Sequence, residues 1–207
     1  MTKRARRKLP RSQREKQMLD AAARVFAVRG FHRASMDQIA RRVGVTKPML
    51  YAYFDSKEKL YLATVDRAGR YLVSAIDALL GEPDPLKRLR DGAALLLQFI
   101  DRDRHGWAVL FAEGLGGGTV ARHVAGYRNQ IAHAAAITLA GLGKGKVNAA
   151  AVRGAEPYAV GLLAAGEAMA RWWVSHPDVS LKRMSEITGD LVEAVLAVYR
   201  KQGRSRA

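Results

Sequence analysis

The sequence contains no cysteine among its 207 residues, and this absence excludes disulfide bonds, thiolate metal ligands and cysteine nucleophiles. Long apolar runs are missing too, since no stretch of about 18 apolar residues occurs, and we expect no membrane-spanning helix. The chain is charged from Lys3 onward and lacks the apolar stretch of a secretory signal. A cytoplasmic protein fits these absences best.

Catalytic motifs are also lacking. The histidines show neither an HExxH motif nor tight metal-ligand spacing, and no GxSxG motif occurs. The glycine-rich stretch 114–118 is followed by threonine without the lysine of a phosphate-binding loop. We therefore expect no catalytic residues, no metal and no cofactor, and an enzyme is the rival class that these absences disfavour.

Acidic residues are few in the N-terminal segment. Residues 1–60 hold 16 Lys and Arg against 5 Asp and Glu, whereas residues 61–207 hold 19 against 14. This asymmetry favours a polyanion as the partner, most commonly the phosphate backbone, although a solvated arm that only aids solubility is the alternative. We interpret residues 1–11 as a flexible basic arm and residues 202–207 as a basic tail. For four cations of the arm, minor-groove or phosphate contact competes with plain disorder: Lys3, Arg6, Arg7 and Lys8.

What the sequence does contain is helical periodicity. Apolar residues recur at helical spacing along almost the whole chain, and no β alternation of useful length appears. Capping-box spacing at Ser12 and Ser35 predicts helix starts, and Gly30 and Gly44 predict helix ends. The prediction is an all-α fold. A three-helix, helix-turn-helix domain over residues 12–60 joins a larger helical regulatory and dimerisation domain over residues 61–201.

The stretch from Ser35 to Phe54 has the organisation of a helix-turn-helix, with a short helix, a turn at Gly44 and a second short helix. In this motif the N-terminal residues of the second helix meet base edges in the major groove. The second helix is expected to present six side chains outward: Thr46, Lys47, Pro48, Met49, Tyr51 and Tyr53. Partial burial is the alternative for Tyr51, and a merely exposed apolar position is the alternative for Met49.

The run QMLDAAARVFAVRGFHRASMDQIARRVGVTKPMLYAYFDSKEKLYLATV resembles the DNA-binding domain of the TetR family of bacterial regulators. The shared features, LDAA…F…RGF followed by SMDQIARRVGVTKPMLYAYFDSKEKL, occur in order over residues 17–65. Beyond residue 65 the resemblance is only architectural. It implies a ligand-responsive repressor that binds a pseudo-palindromic operator of double-stranded DNA as a homodimer. The last two long helices would form the dimer, and each regulatory domain would hold a ligand cavity.

The resemblance also implies individual DNA contacts. Thr46, Lys47, Pro48 and Met49 match positions that read bases or hold phosphates, and Tyr51 and Tyr53 match an aromatic pair that contacts the backbone or thymine methyls. Lys57 matches a phosphate-contacting lysine, and Ser35 can bind phosphate through its helix start. The chain carries Lys-Pro-Met where many members have Lys-Gly-Thr or Lys-Gly-Ser, so an apolar contact replaces a hydroxyl contact there.

Candidate ligand contacts combine aromatic surface with polar groups on helices that the family uses for its pocket: Trp107, Phe111, His123, Tyr127, Tyr158 and Glu167. Ordinary core is the alternative for the rings, and an intrahelical pair with Arg171 or a dimer contact is the alternative for Glu167. The surroundings predict a small apolar or aromatic effector. A sequence-tolerant architectural DNA-binding protein is the alternative function, although it would not need a large, near-neutral helical domain. Activation instead of repression also stays open.

Overall fold

The computed structural model describes residues 9–111, 118–143 and 146–205, with the backbone alone for residues 202–205. Within these ranges the chain forms nine helices and no strand, which confirms the predicted all-α fold. None of the helices in the described part combines the length and the apolar character that a bilayer crossing requires.

The first three helices form the N-terminal unit: α1 spans Arg11–Arg33, α2 spans Met36–Val43 and α3 spans Lys47–Phe54. Helix α1 begins directly after Pro10, so Ser12 lies inside the helix, and the prediction that Ser12 caps it is wrong. Gly30 breaks the helix as predicted, with φ 70° and ψ 168°. Residues 1–8 of the predicted arm, with its four cations, lie outside the described residues.

Helix α4 (Lys57–Leu79) connects this unit to the rest of the molecule, followed by α5 (Pro85–Arg102) and α6 (Arg104–Leu110). Ser56 caps α4 because its hydroxyl accepts a hydrogen bond of 3.0 Å from the Lys59 backbone N–H. Helix α4 packs against α1 and also against α5, α6 and α7. The boundary that we predict at residue 60 therefore falls inside one continuous helix.

Three long helices complete the fold: α7 spans Thr119–Ala140, α8 spans Ala149–Val174 and α9 spans Leu181–Ser205. Helix α7 packs along α8, and α5 packs along α9. The predicted basic tail begins at residue 202, but α9 continues to Ser205, since no proline interrupts it there, although Gly203 is a poor helix former. Residues 206–207 of the tail and residues 114–117 of the glycine-rich stretch lie outside the described residues.

The buried core is continuous from the N-terminal unit into the larger one. The rings of Phe26 in α1 and Tyr61 in α4 meet edge to face at 4.8 Å, and the Tyr61 hydroxyl donates a 3.2 Å hydrogen bond to the Val109 carbonyl in α6. A second cluster, which includes Leu89 and Leu139, lies between α5, α7, α8 and α9. A displacement of α4 or α6 is therefore transmitted to α1 through direct contacts.

Candidate DNA interface and effector cavity

The start of α2 and the turn between α2 and α3 are held by short-range hydrogen bonds. The Ser35 hydroxyl accepts from the Gln38 N–H at 3.3 Å, and the Gln38 side-chain oxygen accepts from the Ser35 N–H at 3.1 Å, which completes the predicted capping box. Gly44 ends α2 with φ 75° and ψ 39°, a left-handed conformation that favours glycine. The Val45 N–H then bonds to the Ala40 carbonyl at 3.0 Å, so that α3 starts at a fixed angle to α2.

Helix α3 has one buried side and one exposed side. Leu50 and Phe54 are buried in the core, whereas the predicted contacts at Thr46, Lys47, Pro48, Met49 and Tyr51 are exposed. The Thr46 hydroxyl accepts from the Met49 N–H at 3.3 Å, and Pro48 lies in the first turn as predicted. Met49 and Tyr51 expose 42% and 39% of their surface, so neither side chain is packed into the core. The side chains of the N-terminal half of α3 are thus accessible to a binding partner.

Tyr53 and Lys57 have protein partners of their own. Tyr53 is half-buried, and the Arg11 guanidinium lies 5.1 Å from its ring centroid. The Lys57 ammonium donates to the His32 carbonyl at 3.3 Å and to the Ala34 carbonyl at 3.1 Å. These bonds use two of the three N–H donors of an ammonium group. Lys57 therefore fastens the end of α1 to the start of α4, a role that sequence reasoning missed, and its phosphate contact stays a prediction.

Further cations flank the motif. Helix α2 ends in Arg41 and Arg42, which are both exposed, and Lys47 lies 3.3 Å from the Asp37 carboxylate across the turn. The two arginines were not singled out from the sequence, although their position in the last turn of the first helix of the motif was a usable signal. The surface around α2 and α3 suits a polyanion.

Two of the predicted ligand residues join α7 to α4. His123 Nε2 lies 2.5 Å from an Asp66 carboxylate oxygen, and the Tyr127 hydroxyl donates to the same oxygen at 2.9 Å. The Tyr127 ring lies so close to Gly69 that a Cβ added to this glycine would sit 2.6 Å from three ring carbons. No cluster of three or more His, Asp or Glu residues within the described ranges is placed to hold a metal ion.

The buried Glu167 joins α8 to α7. Its carboxylate is bound by both arms of the Arg128 guanidinium, at 3.0 and 2.5 Å, and this bidentate pairing compensates the buried charge. The Arg171 guanidinium, one turn along α8, lies 3.9 Å away. Arg128 also lies 5.9 Å from the centroid of Phe111, which stacks on Trp107.

The sixth candidate, Tyr158 in α8, meets Tyr199 in α9 edge to face at 5.2 Å. The six candidates therefore fall into three groups of contacts and do not converge on one pocket: His123 with Tyr127, Glu167 with Phe111 and Trp107 through Arg128, and Tyr158 by itself. Ligand binding by any of them stays a prediction.

A cavity of about 120 Å³ lies elsewhere, between α4, α5, α7, α8 and α9. We call it the apolar cavity. The described residues of its wall are aliphatic or glycine except for Arg88, Thr138 and Thr188, and they include no aromatic ring. The Thr138 hydroxyl donates to the Ala134 carbonyl at 2.9 Å, whereas Arg88 Nε and the Thr188 hydroxyl are buried without a hydrogen-bond partner among the described residues. Sequence reasoning missed both, because each lies among other polar residues of an amphipathic helix and the sequence does not reveal which of them faces a cavity.

Comparisons with known proteins agree with this arrangement. The family described as "Bacterial regulatory proteins, tetR family" matches residues 18–64, and "Tetracyclin repressor-like, C-terminal domain" matches residues 85–198. The HTH-type transcriptional activator FasR of Mycolicibacterium smegmatis is 45% identical over 105 residues, which are 50% of this chain and 48% of FasR. The HTH-type transcriptional regulator RutR of Escherichia coli K12 is 34% identical over 92 residues, 44% of this chain and 43% of RutR. The chain spans about half the length of the curated relatives it matches.

Solved structures match over nearly the whole chain. A TetR-like transcriptional regulator from Rhodococcus sp. RHA1 has a TM-score of 0.77 and 33% identity, covering 92% of this chain and 99% of that one. The transcriptional regulator FadR from Bacillus subtilis, solved in complex with stearoyl-CoA, has a TM-score of 0.70 over 87% of this chain and 97% of its own. Its identity is 16%, so it is similar in fold alone.

Proposed function

Because the chain belongs to the TetR family of bacterial regulatory proteins, we propose that it is a homodimeric repressor released from a pseudo-palindromic operator by a small apolar effector. The family is one of helix-turn-helix transcription regulators, and the dimer, the operator symmetry, the effector and the direction of regulation are the proposal. The observation that carries the proposal has two parts. Helix α3, which is capped by Thr46, has an exposed side, and the core beneath α3 continues to the wall of the apolar cavity.

The DNA contacts follow from the exposure of α3. We propose that α3 enters the major groove with Thr46, Lys47, Pro48 and Met49 toward base edges and nearby phosphates. Tyr51, Tyr53, Ser35 and Lys57 would contact the flanking backbone. The exposed apolar Met49 suits a thymine methyl group more than a hydrogen-bonding base edge.

A homodimer is supported by the outer surface of α8 and α9. Val160, Trp172 and Val198 expose 57%, 48% and 53% of their surface, and such apolar exposure is typical of interaction surfaces. Gly154 and Gly161 on α8 have open space where a Cβ would lie, which would let a neighbouring helix approach closely. A second copy of the same surface would cover these residues and would make the operator two-fold symmetric.

Effector control is supported by the position of α4. This helix packs against α1 at one end, and Ile76 and Leu79 at its other end line the apolar cavity. A ligand that binds more tightly when α4 is displaced would shift the population toward that state. Recognition helices of a dimer must lie about 34–36 Å apart to reach successive major grooves, so a small displacement loses half of the contacts. The proposed place of action is the cytoplasm, where the operator lies.

Selection of bound sequences from a random duplex pool, with excess competitor DNA at near-physiological salt, tests the proposal. We expect a palindromic motif with half-sites about one helical turn apart. The variant Lys47→Ala is compared with the wild-type protein in the same experiment, and it should select the motif more weakly. Salt-sensitive binding without sequence preference would refute the proposal and support an architectural protein. Transcription in vitro from a promoter that carries the selected motif then tests direction, and activation would contradict the repressor assignment.

A further inference from the structure

The apolar cavity contains two polar groups whose hydrogen bonds are not made within the described part of the chain, Arg88 Nε and the Thr188 hydroxyl. Leaving a buried polar group without a partner is unfavourable, and such groups are uncommon in folded proteins. Thr188 is only 9% exposed, so solvent does not readily compensate it. A wall that is otherwise aliphatic thus keeps two hydrogen-bonding groups available to an occupant.

Thr188 differs from the other buried threonines of the molecule. A helical threonine commonly bonds to the carbonyl four residues earlier. Thr64 does so with Leu60 at 2.8 Å, and Thr138, in the wall of the same cavity, does so with Ala134 at 2.9 Å. The Thr188 hydroxyl makes no such bond, although the Met184 carbonyl lies four residues earlier in the same helix. Thr138 therefore provides a matched control for Thr188.

Arg88 brings a positive charge to one end of the cavity. Its terminal nitrogen Nη1 donates to the Leu80 carbonyl at 3.4 Å, just beyond the end of α4. The nearby carboxylate of Glu82 is bound by Lys87 at 2.7 Å. A guanidinium with an unused Nε–H beside an apolar space suits a carboxylate, because its N–H groups match carboxylate oxygens in geometry and charge.

The backbones of Arg88 and Thr188 are offset along the two helices that carry them. Leu89 in α5 clusters with Val192 and Leu196 in α9, whereas Leu97 and Ile100 cluster with Met184, so the two helices run antiparallel. Arg90 bonds to Glu193 at 3.0 Å, which indicates the register of the two helices. With a rise of about 1.5 Å per residue, the backbones of Arg88 and Thr188 lie about 10 Å apart along the helices. Thr188 therefore meets a different part of the occupant.

The shape of the cavity defines the rest of the ligand. On α5 its wall extends from Arg88 to Ile100, about 18 Å along the helix. A volume of about 120 Å³ spread over that length is narrow; for comparison, a compact cavity of about 150 Å³ holds benzene. The absence of aromatic rings from the described wall gives no stacking partner to a flat ligand. A slender aliphatic chain fits this space better than a ring.

We propose that the apolar cavity binds a linear aliphatic carboxylate that carries a hydroxyl or keto oxygen along its chain. The carboxylate bonds to Arg88 Nε, the chain follows the aliphatic wall, and the chain oxygen bonds to the Thr188 hydroxyl. This inference rests on the proposed function, and it changes the effector from a wholly apolar molecule to an amphipathic one with an aliphatic body.

Calorimetric titration of the purified, DNA-free protein tests the inference. The probes are octanoate, n-octanol, benzoate and a series of oxo-octanoates with the keto group at successive positions. We expect octanoate to bind at least about tenfold more tightly than n-octanol, because a hydrogen bond to a charged group is the stronger kind. At least one oxo-octanoate should bind about three- to tenfold more tightly than octanoate. Benzoate should bind more weakly than octanoate.

Three variants test the separate roles of Arg88 and Thr188 in ligand binding. Arg88→Met should remove the preference for octanoate over n-octanol. Thr188→Val should remove only the additional affinity of the best oxo-octanoate, while Thr138→Val, which replaces a hydroxyl that is already bonded, should leave it unchanged. Circular dichroism and retained operator binding show that each variant is folded.

The outcomes separate this inference from the proposed function. Equal affinity for octanoate and n-octanol, tighter binding of benzoate, or no oxo-octanoate that exceeds octanoate would each overturn the ligand class while operator selection still succeeds. Equal effects of Thr188→Val and Thr138→Val would overturn the assignment of Thr188. Failure of the wild-type protein to select an operator would instead refute the proposed function.

Discussion

Gly69 is the position where a single added methyl group should disturb the contact between α4 and α7 most directly. An alanine Cβ at this position would lie 2.6 Å from three carbons of the Tyr127 ring, whereas favourable carbon–carbon contacts lie at about 3.5–4.0 Å. The ring must therefore retreat by about 1 Å. This movement stretches the 2.9 Å bond from the Tyr127 hydroxyl to Asp66.

The expected magnitude follows from opposing contributions. Overpacking costs about 1–3 kcal/mol, and weakening a hydrogen bond to a charged, partly exposed acceptor adds to that cost. Replacing a glycine inside a helix by alanine returns about 1 kcal/mol. We expect Gly69→Ala to lower the free energy of unfolding by about 1–3 kcal/mol. Urea denaturation followed by far-UV circular dichroism at one fixed protein concentration measures it.

A matched control lies on the facing helix. Gly126 is also inside a helix, and a Cβ added there meets no atom within 4 Å, so Gly126→Ala should raise stability by about 0.5–1 kcal/mol. In a Tyr127→Ala background the obstacle is gone, and Gly69→Ala should become neutral or stabilising. The reasoning is refuted if Gly69→Ala is as stable as Gly126→Ala when Tyr127 is present.

The remaining predictions concern charge and pH. Lys47→Ala should weaken operator binding and its salt dependence while changing stability by less than about 0.5 kcal/mol. Lys57→Ala should reduce both operator affinity and stability, because Lys57 also fastens α1 to α4. Equal stability of the two variants in thermal melts would contradict this role of Lys57. Burial raises the pKa of Tyr61 to about 12, so its stabilisation is complete below pH 10 and is lost as the pH rises through 12. Tyr61→Phe should therefore flatten the loss of stability in that window, and an unchanged slope in alkaline titrations would argue against it. Burial alone would raise the pKa of Asp20, but hydrogen bonds from Lys16 and Arg67 lower this pKa overall, below its usual value of 3.8. The ionised Asp20 therefore stabilises the fold above pH 3.8, and this stabilisation is lost as the pH falls through the lowered pKa. Asp20→Asn should be less stable than wild type at pH 7 and equally stable in strong acid, which acid-unfolding curves would check.

The helix-turn-helix could be predicted in detail because its determinants are local. The capping box at Ser35, the left-handed turn at Gly44 and the cap at Thr46 each depend on groups within a few residues of one another. Such hydrogen bonds depend on residue order within one or two turns, and a local pattern can therefore indicate them. The exposure of Met49 and Tyr51 followed from the same helical period.

The first turn of α1 shows where local signals compete. The capping-box spacing at Ser12 favoured a start there, yet the helix begins at Arg11 after Pro10. The fixed φ of proline already prepares the chain to enter a helix, so the start does not need the Ser12 hydroxyl. Two adjacent start signals of similar strength cannot be ranked from the sequence alone.

The sequence by itself determined the all-α class, the helix-turn-helix and the face of α3 that is exposed, because helical period and capping act over one or two turns. Only the tertiary structure decided that Lys57 is bound to the end of α1, that Tyr127 lies against Gly69, and that Arg88 and Thr188 face the apolar cavity. An apolar stripe looks the same in sequence whether it meets another helix or borders an empty space. The cavity is the volume left between five packed helices, and that volume depends on contacts between residues far apart in the chain.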